Sequence, residues 1–281
     1  MEKILVTTDQ SVQSKSALRL AIGLAKARKA ELIVLQVYHL LKPFKWTDHT
    51  FKEYRDRYCE KNMAELTAFI AAVFKSLDET DLAYRAVLYD HIDVADGIRE
   101  YAKQHQCSLI CISTRGAGRI KKLFGTHTSA LIGHSEIPVL AVPAFRHLKR
   151  LNTVMYATDM TDSLYELNKV VDFARPLNAS VELLHLAYPA DFMPDRETLA
   201  DDLSKKVKYP VSIIEKKRNI VDTLLEDIDR AVRLRKPSVI VFFHHQFRPI
   251  LERWLYPTNA TDYSFTSKVP LLIFPKRVTN N

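Results

Sequence analysis

Residues 3–39 and 152–188 carry one pattern twice: a short apolar run closing on Thr-Asp, a helical stretch, then a second apolar run. The first copy reads KILVTTD and closes at Thr8-Asp9; the second reads NTVMYATD and closes at Thr158-Asp159. Helical spacing follows in both, through Leu18, Ala21, Ile22 and Ala25 in one and Leu167, Val170, Val171 and Ala174 in the other. The second apolar runs are LIVLQV and VELLHL. The far ends repeat too. CSLICIST (107–114) corresponds to PSVIVFFH (237–244), and EIPVLAVP (136–143) to KVPLLIFP (268–275). A repeat of this kind constrains the fold more than any single motif, because each copy has to build the same unit.

Each half reads as five strands alternating with four helices. The apolar runs are short, dense and β-branched, without clean alternation, as expected for parallel strands covered on both faces. Strand–helix alternation implies right-handed crossovers. The expected fold class is therefore α/β: two tandem doubly wound modules, each a five-stranded parallel sheet with helices on both faces. The expected modules are 1–145 and 151–281, joined near AFRHLKRL, and a chain of 281 residues suits two domains. The first half should carry a longer helix between its second and third strands, roughly Thr50–Leu77.

Composition narrows the function classes. Hydrophobic residues are 47% and charged residues 26%, and no apolar run approaches the ~20 residues of a membrane span. The opening MEKILVTTDQ does not have the layout of a signal peptide, so a cytoplasmic location and no membrane partner are expected. The net charge of +8 tolerates anionic ligands. With no long Lys/Arg block and no aromatic–basic motif, no nucleic-acid partner is expected. Cys107 and Cys111 bracket an apolar run and read as core packing. His244 and His245 are adjacent on a strand and point to opposite faces, so no metal site is expected there. No GxSxG or HExxH motif occurs, and no catalytic residue is assigned. Trp46, Tyr54, Tyr58, Trp254 and Tyr256 read as cover for module surfaces rather than as base-stacking groups.

The chain has six glycines, and four of them fall between residues 116 and 133. They sit in STRGAGRIKKLFGT, after the fourth strand and before a helix. In an open parallel sheet, ligands bind outside the carboxyl ends of the strands, at the switch point. If the first and fourth strands lie side by side, Asp9 and this segment line one crevice. Glycines let backbone N–H groups approach an anion, and the helix opening at Gly125-Thr126 adds unpaired N–H groups and a positive end. Arg115, Arg119, Lys121 and Lys122 surround it with cations. A phosphate cradle and a tight turn with a solvated basic face both fit this pattern. Asp9 likewise fits either a ligand contact or a cap on the first helix. Neither GxxxxGK[ST] nor a full GxGxxG is present.

These residues resemble the universal stress protein family over nearly the whole chain, as two modules. The resemblance lies in ILVTTD, in LICISTRG, in the Gly-Thr helix start and in IPVLAVP. Nucleotide-binding members carry G-x2-G-x9-G-[ST]. Here Ser113 stands at the first glycine, Gly116 at the second, and only eight residues, 117–124, precede Gly125-Thr126. These departures bear on nucleotide affinity rather than on the fold. The resemblance implies ATP or AMP as ligand, with magnesium or without, or no cofactor at all. It places Asp9 near adenine and ribose, and the Val37 backbone at the adenine edge. Ser113, Arg115 and Gly116 would flank ribose and phosphates, and Gly125, Thr126 and His127 would hold the phosphates. Hydrolysis, if any, would be slow. The second module keeps Asp159 but replaces the glycine turn with FHHQF and WLYPTNATDYS, so it reads as degenerate. Modules of this family pair through their last strands, which implies an intrachain pseudo-dimer through PVLAVP and PLLIFP, with a further homodimer left open. The competing function is a nucleotide-free scaffold or adaptor. A third is a small-molecule or lipid pocket between the modules, with the 50–77 helix as a wall.

Overall fold

The computed structural model describes residues 1–114, 126–144, 151–158, 163–187, 195–217, 224–243 and 269–275. In the first half the strands are β1 (Lys3–Thr7), β2 (Glu31–Tyr38), β3 (Tyr84–Asp90), β4 (Leu109–Ser113) and β5 (Val139–Val142). Between them run α1 (Ser14–Arg28), α2 (Asp48–Lys75), α3 (Val94–Gln104) and α4 (Thr126–His134). The second half continues with β6 (Thr153–Thr158), α5 (Ser163–Ala174), a 3-10 turn (Arg175–Leu177) and β7 (Ser180–Ala187). It closes with α6 (Arg196–Val207), β8 (Val211–Lys217), α7 (Leu224–Arg235), β9 (Val239–Phe243) and β10 (Leu271–Phe274).

The ten strands among the described residues form one sheet, in the order β3-β2-β1-β4-β5-β10-β9-β6-β7-β8. Each half thus runs its strands in the same relative order. Every pairing is parallel except β5 with β10, where Leu140 lies opposite Leu272 in antiparallel register. Both closing strands follow a proline that lacks an N–H but still accepts. Ile110 N–H donates to the Pro138 carbonyl at 2.9 Å, and Ile240 N–H to that of Pro270 at 3.0 Å.

The sheet is covered on both faces, which explains its continuous apolar strands. One core sets Ile4, Leu32, Leu140, Val154 and Leu272 beneath α1, α2, α5 and α6. The opposite core sets Leu5, Ile33, Ile110, Met155 and Ile240 beneath α3, α4 and α7. The two halves also leave their first helices alike. Lys29 and Asn178 both adopt left-handed backbone, with φ of 52° and 50°, just before a buried alanine, Ala30 or Ala179. Such a residue ends a helix and lets its last carbonyls find donors.

The second half differs inside its core. Tyr156 and Glu166 are fully buried and hydrogen-bonded to each other, where the repeat places Val6 and Ala17. Both residues are larger than their counterparts, and the tyrosine hydroxyl donates to the carboxyl that burial would otherwise penalise.

Because β5 and β10 join the halves through fully buried leucines, the sheet is expected to melt as one unit. Leu272→Ala should cost about 2–5 kcal/mol. In urea denaturation followed by circular dichroism, the whole transition should move to lower urea, rather than only half of its amplitude.

Candidate functional site at the carboxyl ends of β1 and β4

The strand order turns around at β1. Its chain continues to β2 on one side, while β4 pairs on the other, with Ile4, Leu5 and Val6 beside Leu109, Ile110 and Cys111. The loops leaving β1 and β4 therefore diverge to opposite faces, and a crevice is left between them.

The β1 loop is fixed by its own side chains. Thr8 N–H donates to the Leu35 carbonyl at 3.0 Å. Its Oγ1 accepts Gln10 N–H at 2.9 Å and lies 2.8 Å from Ser14 Oγ. Gln10 takes left-handed backbone, φ 58°, and its amide donates to Gln36 Oε1 at 2.7 Å. That conformation costs a non-glycine residue roughly 1–2 kcal/mol, which these bonds offset. Exposed Asp9 accepts Ser11 N–H on Oδ1 at 3.0 Å. It does not cap α1, whose N-cap is Gln13 with no side-chain capping bond. The capping reading of Asp9 is thereby corrected. A cap oxygen reaches two or three residues along the chain, and α1 starts five residues later, so Asp9 closes the loop instead. Ser11 Oγ accepts Ser14 N–H at 3.2 Å and does the work at the helix start.

The β4 side is tied to α4. Buried Thr128 donates from Oγ1 to the Ser113 carbonyl at 3.0 Å. Thr114 N–H donates to the Val142 carbonyl at 2.9 Å. The first turn of α4, with its outward N–H groups and positive end, is thus anchored beside the end of β4. Thr126 opens this helix, and His127 is exposed on it.

A third side comes from the loop between β3 and α3. His91 N–H donates to the Tyr38 carbonyl at 2.9 Å. Asp93 caps α3, accepting Asp96 N–H at 2.8 Å. That bond first, then the Ala95 N–H, and only after these the neighbouring His127 and His91, hold the Asp93 carboxyl below the usual range. The folded carboxylate is the favoured form, so its stabilising contribution is present above the unfolded pKa and lost on acidification. Val37, on β2, packs near Gly97 of α3. A Cβ on Gly97 would lie 2.7 Å from His91 Cβ and 3.2 Å from Val37 Cγ1, so only glycine lets α3 approach this closely.

Asp9, Val37, Ser113 and His127 therefore all follow or end strands on one edge of the sheet, or start a helix there. Arg115, Gly116 and Gly125, the Thr126 side chain, Asp159 and His244-His245 lie outside the described residues. The sequence reading missed Gln10, Gln36, His91, Asp93 and Gly97; Thr128 was expected to offer its hydroxyl to a ligand, and it donates to the Ser113 carbonyl instead. Only Gly97 left a signal, as a glycine inside a strongly amphipathic helix. Burial pushes the thiols of Cys107 and Cys111 up to about 11 and about 12, which suits core packing. Trp46, Tyr54 and Tyr58 form an aromatic ladder with Tyr38, ring centroids 5.2, 6.4 and 5.5 Å apart, over the end of β2. Among the described residues no group of three His, Cys, Asp or Glu side chains is arranged for a metal ion.

The family model for the universal stress protein family matches residues 1–143, half of the chain. The chain belongs to the universal stress protein family. Its fold is similar to that of a universal stress protein from Archaeoglobus fulgidus DSM 4304. The two are 19% identical over 98% of this chain and 96% of that one, with a TM-score of 0.65. A universal stress protein from Pseudomonas aeruginosa UCBPP-PA14 is 14% identical over 98% of this chain and 93% of that one, with a TM-score of 0.58. At these identities the likeness is one of fold. No curated protein matches the chain.

Gly97→Ala should destabilise the protein by about 1–3 kcal/mol, because the added methyl meets the fixed Cβ of His91. His91→Ala in the same chain should return most of that loss in urea denaturation, whereas two independent defects would add.

Proposed function

We propose that the chain is a universal stress protein of two modules, 1–145 and 151–281, paired through β5 and β10, and that module 1 binds an adenine nucleotide, ATP or AMP. The observation that carries this reading is the bond from Thr128 to the Ser113 carbonyl. It holds a helix N-terminus against the carboxyl end of β4, one strand from Asp9, at the switch point where the fold favours a ligand. In this reading the adenine and ribose lie along Val37 and Asp9. The phosphates meet the α4 start at Gly125, Thr126 and His127, with Arg115 and Gly116 beside them. Magnesium, if it accompanies the nucleotide, would offset phosphate charge beside the α4 start at Gly125 and Thr126; among the described residues no cluster of three His, Cys, Asp or Glu side chains is arranged to hold it. Binding is a sensing step, and any hydrolysis is slow, since Asp9 is engaged in closing its own loop and Asp93 in capping α3. A cytoplasmic location accords with it. Among the described residues no helix is long and apolar enough to cross a membrane.

A second reading, a nucleotide-free adaptor, is favoured by one specific observation. Ser113 stands where the nucleotide-binding pattern has its first glycine; it is 8% exposed, and its carbonyl is already engaged by Thr128.

Thermal unfolding with ATP and magnesium separates the two. Nucleotide at ~100 times its Kd should stabilise the protein by roughly 2.7 kcal/mol. Gly125→Val should abolish the shift while the unliganded melting temperature stays within a few degrees. The absence of any shift at millimolar ATP is the adaptor's signature.

A further inference from the structure

A cavity of about 490 Å³ lies where the two halves meet, away from the β1–β4 crevice. Its size is within the roughly 300–1,000 Å³ of small-molecule sites. Its walls come from both sides of the β5–β10 junction. Leu109 and Pro138, at the amino ends of β4 and β5, face the carboxyl ends of β9 and β10, and α1 and α5 close the sides. The antiparallel pairing is what brings opposite strand ends together. The α2 helix does not line this cavity, so the expectation that the 50–77 helix would wall a pocket between the modules is not met; that helix packs against β3 and α1, toward the far edge of the sheet.

The lining is aromatic on one side only. Phe243, Phe274, Phe173 and Tyr165 belong to the second half. The repeat places Ser113, Val142, Leu24 and Ser16 at the corresponding positions of the first half. Four aromatic rings thus replace small or aliphatic residues around one cavity. Phe243 and Phe274 stack with centroids 4.8 Å apart and planes 11° from parallel, so the outer ring of the pair offers a flat face. Phe173 and Phe243 are nearly buried in the fold, at 4% and 3% exposure, so the wall is rigid. The rim is mixed in charge. Arg28, already held by Glu2, and Lys169 are balanced by Asp172 and Glu136. Such a rim favours neither an anion nor a cation.

We infer that this cavity is a second binding site, for a neutral planar aromatic molecule that stacks against the Phe243–Phe274 wall and is covered by Tyr165. Flat rings gain most from an offset-stacked partner and a dry apolar floor, and a balanced rim leaves no charge for the ligand to neutralise. The site does not depend on nucleotide binding in module 1.

The probe for this site is N-phenyl-1-naphthylamine, a neutral aromatic whose fluorescence rises in apolar surroundings. The unaltered full chain should bind it saturably with one site per chain, and excess ATP should leave the curve unchanged. Asp172→Trp, which places an indole across the mouth from an exposed position on α5, should weaken binding about tenfold or more. Tyr165→Ala should weaken it about tenfold by removing the cover. Both replaced residues are exposed, so both variants should keep the unaltered melting temperature to within a few degrees. Absence of saturable binding, several equivalent sites, displacement by ATP, or unchanged affinity in the two variants would each overturn the inference.

Discussion

The parallel pairing of β1 with β4 is the constraint on which the rest of the structure depends. It sets the order β3-β2-β1-β4-β5 and so fixes where the sheet reverses. Helices must then leave β1 and β4 toward opposite faces, and their starts flank one gap. Nothing in that gap has to be a catalytic group. What the geometry supplies is backbone: a wired loop after β1, an anchored helix start after β4, and a close approach of α3 permitted by Gly97.

A second constraint, the antiparallel meeting of β5 and β10, turns two similar halves into one sheet. Two strand edges that would each present unpaired N–H and C=O groups pair with one another, which removes an aggregation hazard. The same pairing sets amino ends of one half against carboxyl ends of the other. A cavity forms there because helices α1 and α5 span the junction without filling it. The crevice and the cavity thus follow from two different strand contacts.

Most of the fold was legible in the sequence, because its periodicity is strong and is given twice. The strand ends at Thr7 and Ser113, the prolines that open the closing strands and the long second helix all follow from local pattern. The details of the site were less legible. In sequence Asp9 fits a helix cap as well as a ligand contact because it precedes an amphipathic run, yet the helix starts only at Ser14, and the spacing of Ser11 and Ser14 that serves it is too common to be a signal. The bond from Thr128 to Ser113 joins residues 15 apart across a segment that the sequence describes only as basic and glycine-bearing. His91 and Asp93 reach the crevice because β3 lies beside β2, and sheet order is not written in any one stretch of chain. The aromatic cavity was invisible for the same reason. Phe173, Phe243 and Phe274 each read as ordinary core until the repeat is aligned and Leu24, Ser113 and Val142 are found at the corresponding positions of the first half.

The most direct test of the central claim is a crystal structure grown with saturating ATP. Density is expected for phosphates against the first turn of α4 and for adenine beside Val37, between the ends of β1 and β4. A crevice that stays empty under those conditions, or that a side chain of the 115–125 segment occupies, contradicts it.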